Sequence, residues 1–151
     1  MVRAWLGASA LAVVVLAATA GSALTERRSP NYNFALHCLG CHTFEGVSAE
    51  RGRIPALKDV VGHFTRIVEG RRYLVNVPGI VNSGLSAEDT AAILNWMIDI
   101  YGGASRPADF RRFDAGEVAE LRAQRPDDVM KLRADVQSLL SKRGFDIGVY
   151  P

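Results

Sequence analysis

The sequence predicts an all-α fold, and three features of the chain point to it. The strongest is a helical pattern over residues 86–101, in which apolar residues recur every three or four positions. Two further helical patterns follow, at residues 115–124 and 127–143, and no β-α-β pattern accompanies them. The 151 residues suffice for one domain and an extension. A net charge of +2 argues against nucleic acid as a partner.

Residues 1–23 have the pattern of a secretory signal peptide, which is removed from the mature protein. Arg3 supplies the positive start, and Leu6–Ala18 is an uncharged apolar run. Small residues lead up to Ala20 and to Ala23, so we predict cleavage after one of these, followed by a polar lead-in over residues 24–30. An uncleaved membrane anchor is the alternative, because the apolar run is close to the length that spans a bilayer.

Both cysteines of the chain lie in one pentapeptide, Cys38-Leu39-Gly40-Cys41-His42. The spacing Cys-x-x-Cys-His is typical of a c-type haem attachment site. The two thiols bond the two vinyl groups of the porphyrin, and the adjacent histidine is the proximal iron ligand. A redox dithiol or a disulfide is the alternative. We therefore predict one covalently attached haem c, with its iron, held by Cys38, Cys41 and His42.

A short helix is predicted immediately before this motif, over residues 31–37. Its apolar side chains Tyr32, Ala35 and Leu36 lie three and four positions apart, so we expect them on the buried face. Asn31, which follows Pro30, is the predicted helix cap.

Residues 31–46 resemble the start of a class I cytochrome c. In that family a helix with an aromatic residue precedes Cys-x-x-Cys-His, and a glycine follows soon after. Phe34 and Gly46 are the matching residues. The resemblance implies a cytochrome c-like haem domain over residues 31–103 and a helical C-terminal extension over residues 104–151. It also implies that the Pro55 carbonyl accepts the second ring N–H of His42 and so orients the ring.

The stretch that follows the motif is predicted to be rich in loops, with one short helix at His63–Val68 that is stopped at Gly70. Arg66, Arg71 and Arg72 form a small basic cluster. These arginines belong either to a solvated face or, in one case, to a bidentate contact with a haem propionate.

Val77-Pro78 is where the sequence departs from the class I pattern. Many class I cytochromes have a Met-Pro dipeptide several residues before a helix that starts with leucine, a small polar residue and an acidic pair. Here Leu85-Ser86 and Glu88-Asp89 follow as expected, but valine stands in the place of the methionine. Valine cannot bind iron, so the family's usual sixth ligand is missing from its usual place.

The helix over residues 86–101 has signals at both ends. Ser86 and Asp89 form a capping pair, and Gly102-Gly103 ends the helix. The apolar arc consists of Ile93, Leu94, Trp96, Met97, Ile98, Ile100 and Tyr101, and the opposite side of Ala92, Asn95 and Asp99. We expect the arc to pack against the helix that precedes the motif.

Met97, at the centre of the arc, is the first candidate for the distal iron ligand, and simple core filling is the alternative. Other donor atoms belong to Met130, His63, His37, Asn76 and Asn82. His37 is sterically disfavoured because it directly precedes Cys38. If none of these binds, the iron is five-coordinate or carries water. A Met/His pair gives a raised potential suited to electron relay, whereas an open position admits small ligands.

The extension is predicted to contain two helices. Val118 and Leu121 point inward from the first, at residues 115–124. The second, Asp127–Arg143, has an apolar stripe of Val129, Leu132, Val136, Leu139 and Leu140, and Gly144 caps it. This stripe covers either the haem domain or a partner subunit.

Together these patterns predict an exported, periplasmic electron carrier rather than an enzyme, with a catalytic role left open. Its partners would be redox proteins such as a periplasmic dehydrogenase and a terminal acceptor, and it would contact a membrane only through an uncleaved N-terminal segment. One alternative is a five-coordinate haem protein that binds a small ligand, as a sensor or an enzyme. Another is a haem subunit of a larger periplasmic dehydrogenase, docked through the extension.

Overall fold

The computed structural model describes residues 27–48 and 53–148, and its regular elements are helices. The α-helices of this part of the chain are α1 Pro30–His37, α2 Val68–Asn76, α3 Pro78–Val81, α4 Ala87–Tyr101, α5 Ala115–Ala123 and α6 Val129–Ser141. Short 3-10 helices cover Val61–Arg66 and Gly103–Ser105. Within the described ranges no strand forms, and one isolated bridge joins His42 and Ser48. The all-α prediction is therefore confirmed.

The predicted signal peptide lies outside the described residues. Among the helices that are described, none is long and apolar enough to cross a membrane.

Helix α1 starts one residue earlier than the sequence predicted. Ser29 is the residue before the first turn, and Pro30 occupies the first turn itself. Proline is favoured there because a first-turn N–H has no partner inside the helix and its loss costs little. Asn31 is thus inside the helix, and its prediction as the cap was wrong.

The buried face of α1 also differs from the prediction. Phe34 is fully buried, and its ring centroid lies 5.2 Å from Trp96 and 5.5 Å from Tyr101, both on α4. Tyr32 and Leu36 are instead 52% and 55% exposed. One large ring fills the gap between the two helices, so it decides which face of this eight-residue helix turns inward.

Helix α4 is the central element, and both of its ends agree with the prediction. The Ser86 hydroxyl accepts the backbone N–H of Asp89 at 3.0 Å, which satisfies one of the first-turn donors. At the other end the Gly102 N–H donates to the Ile98 carbonyl at 3.0 Å. Helix α4 packs against α1, as expected, and also against α5.

Two residues of α4 lie on the side opposite to their prediction. Ile100 is 57% exposed, although the periodicity placed it on the apolar arc. Asn95 is buried, because its side chain both donates to and accepts from the backbone of Phe113, at 2.9 and 2.8 Å. Phe113 belongs to the strap, residues 106–114, which connects α4 to α5. The strap therefore covers the flank of α4 that looked polar in the sequence.

Gly70 lies inside α2 and does not end a helix. A 3-10 helix, Val61–Arg66, is followed by a new α-helix from Val68. A Cβ atom at position 70 would collide with the backbone carbonyl of Phe64. The predicted stop was wrong because this glycine permits a close approach of two backbones rather than a chain reversal.

The two helices of the extension pack against the rest of the chain. Helix α5 contacts α2 and α4, and α6 contacts α2 and the first 3-10 helix. Val118 and Leu121 are buried as predicted, and so are Leu132, Val136 and Leu140 of the α6 stripe. Asp128 caps α6 by accepting the N–H groups of Met130 and Lys131. Of the two surfaces considered for the stripe, it covers this chain's own helices.

A buried ion pair joins α5 to α2. Arg71, which is 5% exposed, donates from Nε and Nη2 to the two carboxylate oxygens of Glu117 at 2.5 and 2.6 Å. The Arg71 guanidinium also stacks on the Phe113 ring, 3.7 Å from its centroid, and donates to the Arg111 carbonyl. Arg111 itself pairs with Glu117 at 2.8 Å. This bidentate contact ties the extension to the middle of the chain.

Candidate functional site

A single cleft brings the chemistry-bearing residues of the chain together. It encloses about 1040 Å³, open mouth included. Cys38, Cys41, His42 and Met97 all line it. The rest of its lining is mostly apolar and comes from His37, Ile54, Pro55, Ala56, Leu57, Val61, Phe64, Tyr73, Leu74, Val77, Pro78, Gly79, Ile80 and Leu94. Such a cleft suits a large apolar group that needs a few well-placed polar contacts.

The motif wall, residues 38–42, continues directly from α1. The Cys38 N–H donates to the Phe34 carbonyl at 2.9 Å, and the N–H groups of Cys41 and His42 donate back to the Cys38 carbonyl at 3.0 and 2.8 Å. This tight turn brings both thiols and the imidazole to the same cleft. The thiols are free, Cys38 buried and Cys41 exposed. A disulfide between them, one of the alternatives for this motif, is not formed.

Burial shifts the pKa values of two side chains in the motif wall. It raises the pKa of the Cys38 thiol to about 11, and the neighbouring Cys41 adds to the rise. Burial lowers the pKa of His42, which favours the neutral imidazole, the form that binds metals. Nδ1 of His42 is buried and has no hydrogen-bond partner. The bond to the Pro55 carbonyl that the class I resemblance implies is therefore not formed, although Pro55 lines the same cleft.

The loop after the motif is packed tightly against α4. Gly46 has a φ of +72°, and a Cβ atom there would overlap the ring of Tyr101. The Tyr101 hydroxyl donates to the Phe44 carbonyl at 3.1 Å, and the Gly46 carbonyl accepts the N–H groups of Leu57 and Lys58 at 2.8 and 2.9 Å. This loop therefore needs glycine at position 46 for both its backbone angle and its space.

The Val77–Ile80 wall forms another side of the cleft. Val77 is the extended residue between α2 and α3, and Pro78 begins α3. The N–H groups of Ile80 and Val81 both donate to the Val77 carbonyl, at 2.9 and 3.0 Å. Val77 and Pro78, which the class I resemblance aligned with a Met-Pro dipeptide, thus line the cleft.

These residues fit a haem c. The cleft offers two free thiols, the imidazole of His42, whose lowered pKa favours the neutral form, and walls of aliphatic and aromatic side chains. Haem ligation needs such a nitrogen donor, and the apolar macrocycle needs such walls.

Comparison with known proteins identifies the family of this chain. The chain is 30% identical to cytochrome c-552 of Thermus thermophilus in an alignment of 119 positions. The alignment covers 64% of this chain and 88% of that protein. The chain belongs to the c-type cytochromes. No family model matches it. Membership in this family implies haem c with its iron, and the helices described above fit a cytochrome c-like all-α fold.

Of the six side chains considered for the distal iron position of this cytochrome, two line the cleft and four do not. Met97 lines it and is 6% exposed, and His37 lines it beside Cys38. The others do not line it: Met130, His63, Asn76 and Asn82. Met130 is 44% exposed, and Asn76 uses its amide nitrogen for the carbonyls of Arg72 and Leu121.

The three arginines considered for a haem propionate have other partners in this cytochrome. Arg66 donates to the Ser105 carbonyl, Arg71 pairs with Glu117, and Arg72 donates to the Gln124 carbonyl. None of the three lines the cleft. The cluster therefore binds the first 3-10 helix and α2 to later parts of the chain.

Two aromatic residues of the cleft were not predicted from the sequence. Phe64 and Tyr73 stack with ring centroids 5.2 Å apart and an interplanar angle of 18°. Phe64 lies on the first 3-10 helix and Tyr73 on α2. Their separation along the chain follows no helical period, so only the close contact of the two elements at Gly70 brings them together.

Proposed function

We propose that this cytochrome holds one covalently attached haem and transfers single electrons between redox partners in the periplasm. One observation carries the proposal: the turn that follows α1 brings Cys38, Cys41 and His42 to the same apolar cleft. In this assignment the two cysteines attach the haem and His42 is the proximal ligand.

The attachment chemistry suits two free thiols. The thiols of Cys38 and Cys41 would hold the haem by adding S–H across its two vinyl groups, with sulfur on one vinyl carbon and hydrogen on the other. No oxidant or reductant is consumed in this addition. The bound haem supplies the one-electron redox change, and the protein supplies burial, orientation and ligation.

The exposure of the motif wall supports electron transfer at its edge. Cys41 is exposed whereas Cys38 is buried, so one side of the attachment turn faces solvent. A redox partner could approach this edge in a small, transient contact, as weak electron-transfer encounters do. A periplasmic dehydrogenase as donor and a terminal acceptor fit this role. The proposed export rests on the predicted signal peptide, residues 1–23.

We further propose a class I-like arrangement in which Met97 of α4 is the distal ligand. Met97 is the methionine of the described residues that is both buried and part of the cleft lining. A methionine opposite the histidine raises the potential of the iron, which suits a relay. The ligand would then come from the long helix rather than from the Met-Pro position that Val77-Pro78 occupies.

Absorption spectra of both oxidation states, with and without carbon monoxide, test the relay. We expect a low-spin ferric spectrum and slow carbon monoxide binding. Met97→Leu conserves volume, so it should keep the fold within about 1.5 kcal/mol while converting the ferric spectrum to high-spin. Met130→Leu, on an exposed side chain, is the matched control and should leave the spectra unchanged. A high-spin ferric spectrum in the unaltered protein would rule out relay through Met97.

A second candidate is a haem that binds a small ligand, as a sensor or an enzyme. It is favoured by Val77, an apolar residue in the cleft where the class I pattern has its ligand. Rapid carbon monoxide binding to the unaltered protein, unaffected by Met97→Leu, would support it against the relay.

A further inference from the structure

Helix α5 makes two sets of hydrogen bonds that lie on either side of the Val77–Ile80 wall. On the N-terminal side, the amide nitrogen of Asn76 donates to the Leu121 carbonyl at 3.0 Å, across 45 positions of sequence. Asn76 is 6% exposed and directly precedes Val77. One turn earlier, Arg72 donates to the Gln124 carbonyl at 2.6 Å.

The bonds on the C-terminal side come from the next residue of the same helix. Nη2 of Arg122 donates to the Leu85 carbonyl at 3.0 Å and to the Thr90 hydroxyl at 2.7 Å. Leu85 lies five positions after Ile80 and directly before Ser86, the cap of α4. Successive residues of α5 therefore contact the residue that precedes the wall and a residue a short distance after it.

Between these two points the backbone of the wall is bonded mainly to itself. The described bonds are those of Ile80 and Val81 to the Val77 carbonyl, of Asn82 to the Pro78 carbonyl, and of the Ser83 N–H and hydroxyl to the Ile80 carbonyl. A four-residue helix has little stability of its own, because nucleating a helix is costly. The anchors on α5 thus supply long-range restraint to a segment that is weak by itself.

We propose that α5 acts as a clamp on the Val77–Ile80 wall, through Asn76 with Leu121 and through Arg122 with Leu85. In a cytochrome with an iron–methionine bond in this segment, the bond itself would restrain the wall. Here valine makes no such bond, and the clamp replaces it. The clamp, rather than a ligand within the segment, controls how readily the wall moves aside for a small molecule that displaces Met97 from the iron. This last step rests on the proposed haem binding.

Hydrogen exchange of the holoprotein, followed by mass spectrometry of peptides that cover residues 77–82, tests the clamp. Asn76→Ala and Asn95→Ala form a matched pair, since each removes a buried asparagine that makes two described backbone contacts. Losing such contacts should cost about 1.4 kcal/mol, so Asn76→Ala should speed exchange in the wall about tenfold. Asn95→Ala, which releases the strap, should leave exchange of the wall unchanged. Arg122→Met should act as Asn76→Ala does, and it decides the matter if Asn76→Ala does not fold.

Carbon monoxide association with the reduced protein tests the consequence at the haem. We expect faster association in Asn76→Ala and Arg122→Met, and an unchanged rate in Asn95→Ala. A wall that exchanges equally in all three variants overturns the clamp. Faster exchange with an unchanged association rate overturns control of access. Absence of covalent haem from the purified protein would contradict the proposed function, and the exchange measurement would still decide whether the clamp exists.

Discussion

The two sides of the cleft are built in opposite ways. The motif wall is held by bonds between near neighbours, such as those from Cys41 and His42 to the Cys38 carbonyl. The Val77–Ile80 wall depends on α5, whose contacts to Asn76 and Leu85 cross 45 and 37 positions of sequence. One side is therefore a local structure that a short motif can specify. The other also depends on long-range bonds to the C-terminal extension.

This difference assigns separate roles to the two halves of the chain. Residues 30–48 contain the two thiols and the imidazole that line the cleft. Helix α4 packs against this segment through the contact of Phe34 with Trp96 and Tyr101. Up to residue 148, where the described structure ends, the extension contributes no lining residue to the cleft, yet it bonds to α2 next to the wall. Changes in the first half should affect haem attachment, and changes in the second should affect stability and ligand access.

Loss of both thiols should have the largest effect. We expect the double variant Cys38→Ala with Cys41→Ala to carry no haem through a denaturing gel, because no thioether can form. Each single variant should keep one thioether and stain for haem, with absorption bands shifted to longer wavelength by the remaining vinyl group. Haem that stays with the double variant on the gel would contradict the assignment of the motif wall.

Breaking the ion pair between α2 and α5 should have the second-largest effect. Glu117→Gln leaves the buried Arg71 cation without its carboxylate, and it should lower the free energy of unfolding by about 3 kcal/mol at neutral pH. Covalent haem should be retained, because Glu117 does not line the cleft. Asp135→Asn, which breaks the exposed pair of Lys131 with Asp135, is the control and should cause no measurable change in chemical denaturation.

The stabilisation that the ion pair of Arg71 with Glu117 contributes should disappear in acid. Burial acts to raise the pKa of Glu117, but the hydrogen bonds from Arg71 and Arg111 outweigh it and hold the pKa below its ordinary value of 4.5. A carboxyl whose pKa is lower in the folded state stabilises the fold above the unfolded pKa, and this stability is lost as the pH falls through the folded pKa. The stability difference between Glu117→Gln and the unaltered protein should therefore shrink below about pH 4.5. A stability difference that grows as the pH falls would contradict a lowered pKa of Glu117 in the folded state.

Alanine substitutions at two glycines test how tightly the two sides of the cleft are packed. We expect a smaller effect for at least one of them than for the changes above. Gly46, after the motif, and Gly84, after the Val77–Ile80 wall, have nearly equal φ angles of +72° and +70°. A Cβ atom at position 46 would overlap the Tyr101 ring, whereas one at position 84 meets nothing within 4 Å. Alanine should cost about 1 kcal/mol at position 84 from backbone strain alone, and about 3 kcal/mol at position 46. Equal losses of thermal stability would indicate that the motif loop is no more tightly packed than the other.

Much of the local structure could be predicted from the sequence. The Ser86 cap and the Gly102 end of α4, the inward residues of α5 and most of the α6 stripe agree with the structure. These features depend on contacts within one or two helical turns, which a periodic pattern records. Cys38, Cys41, His42 and Met97 line one cleft, and their roles toward a haem stay a prediction.

The errors have a common cause in long-range packing. The exposed Tyr32 and Leu36 looked like a buried face, since periodicity does not reveal which apolar residues a neighbouring helix covers. Gly70 looked like a helix stop, but it is needed where the Phe64 backbone approaches. Asn95 looked solvated, but the strap arrives from 18 positions further on to bond with it.

The sequence by itself determined the Cys-x-x-Cys-His motif, the all-α class and the presence of valine rather than methionine before Pro78. These properties reside in residue identity and short spacing, which no folding step can alter. Only the tertiary structure decided that Met97 shares the cleft with His42 and that α5 restrains the Val77–Ile80 wall. Those relations depend on contacts between residues that lie tens of positions apart. Every residue has a backbone carbonyl, so the sequence does not show which donor a given carbonyl will accept.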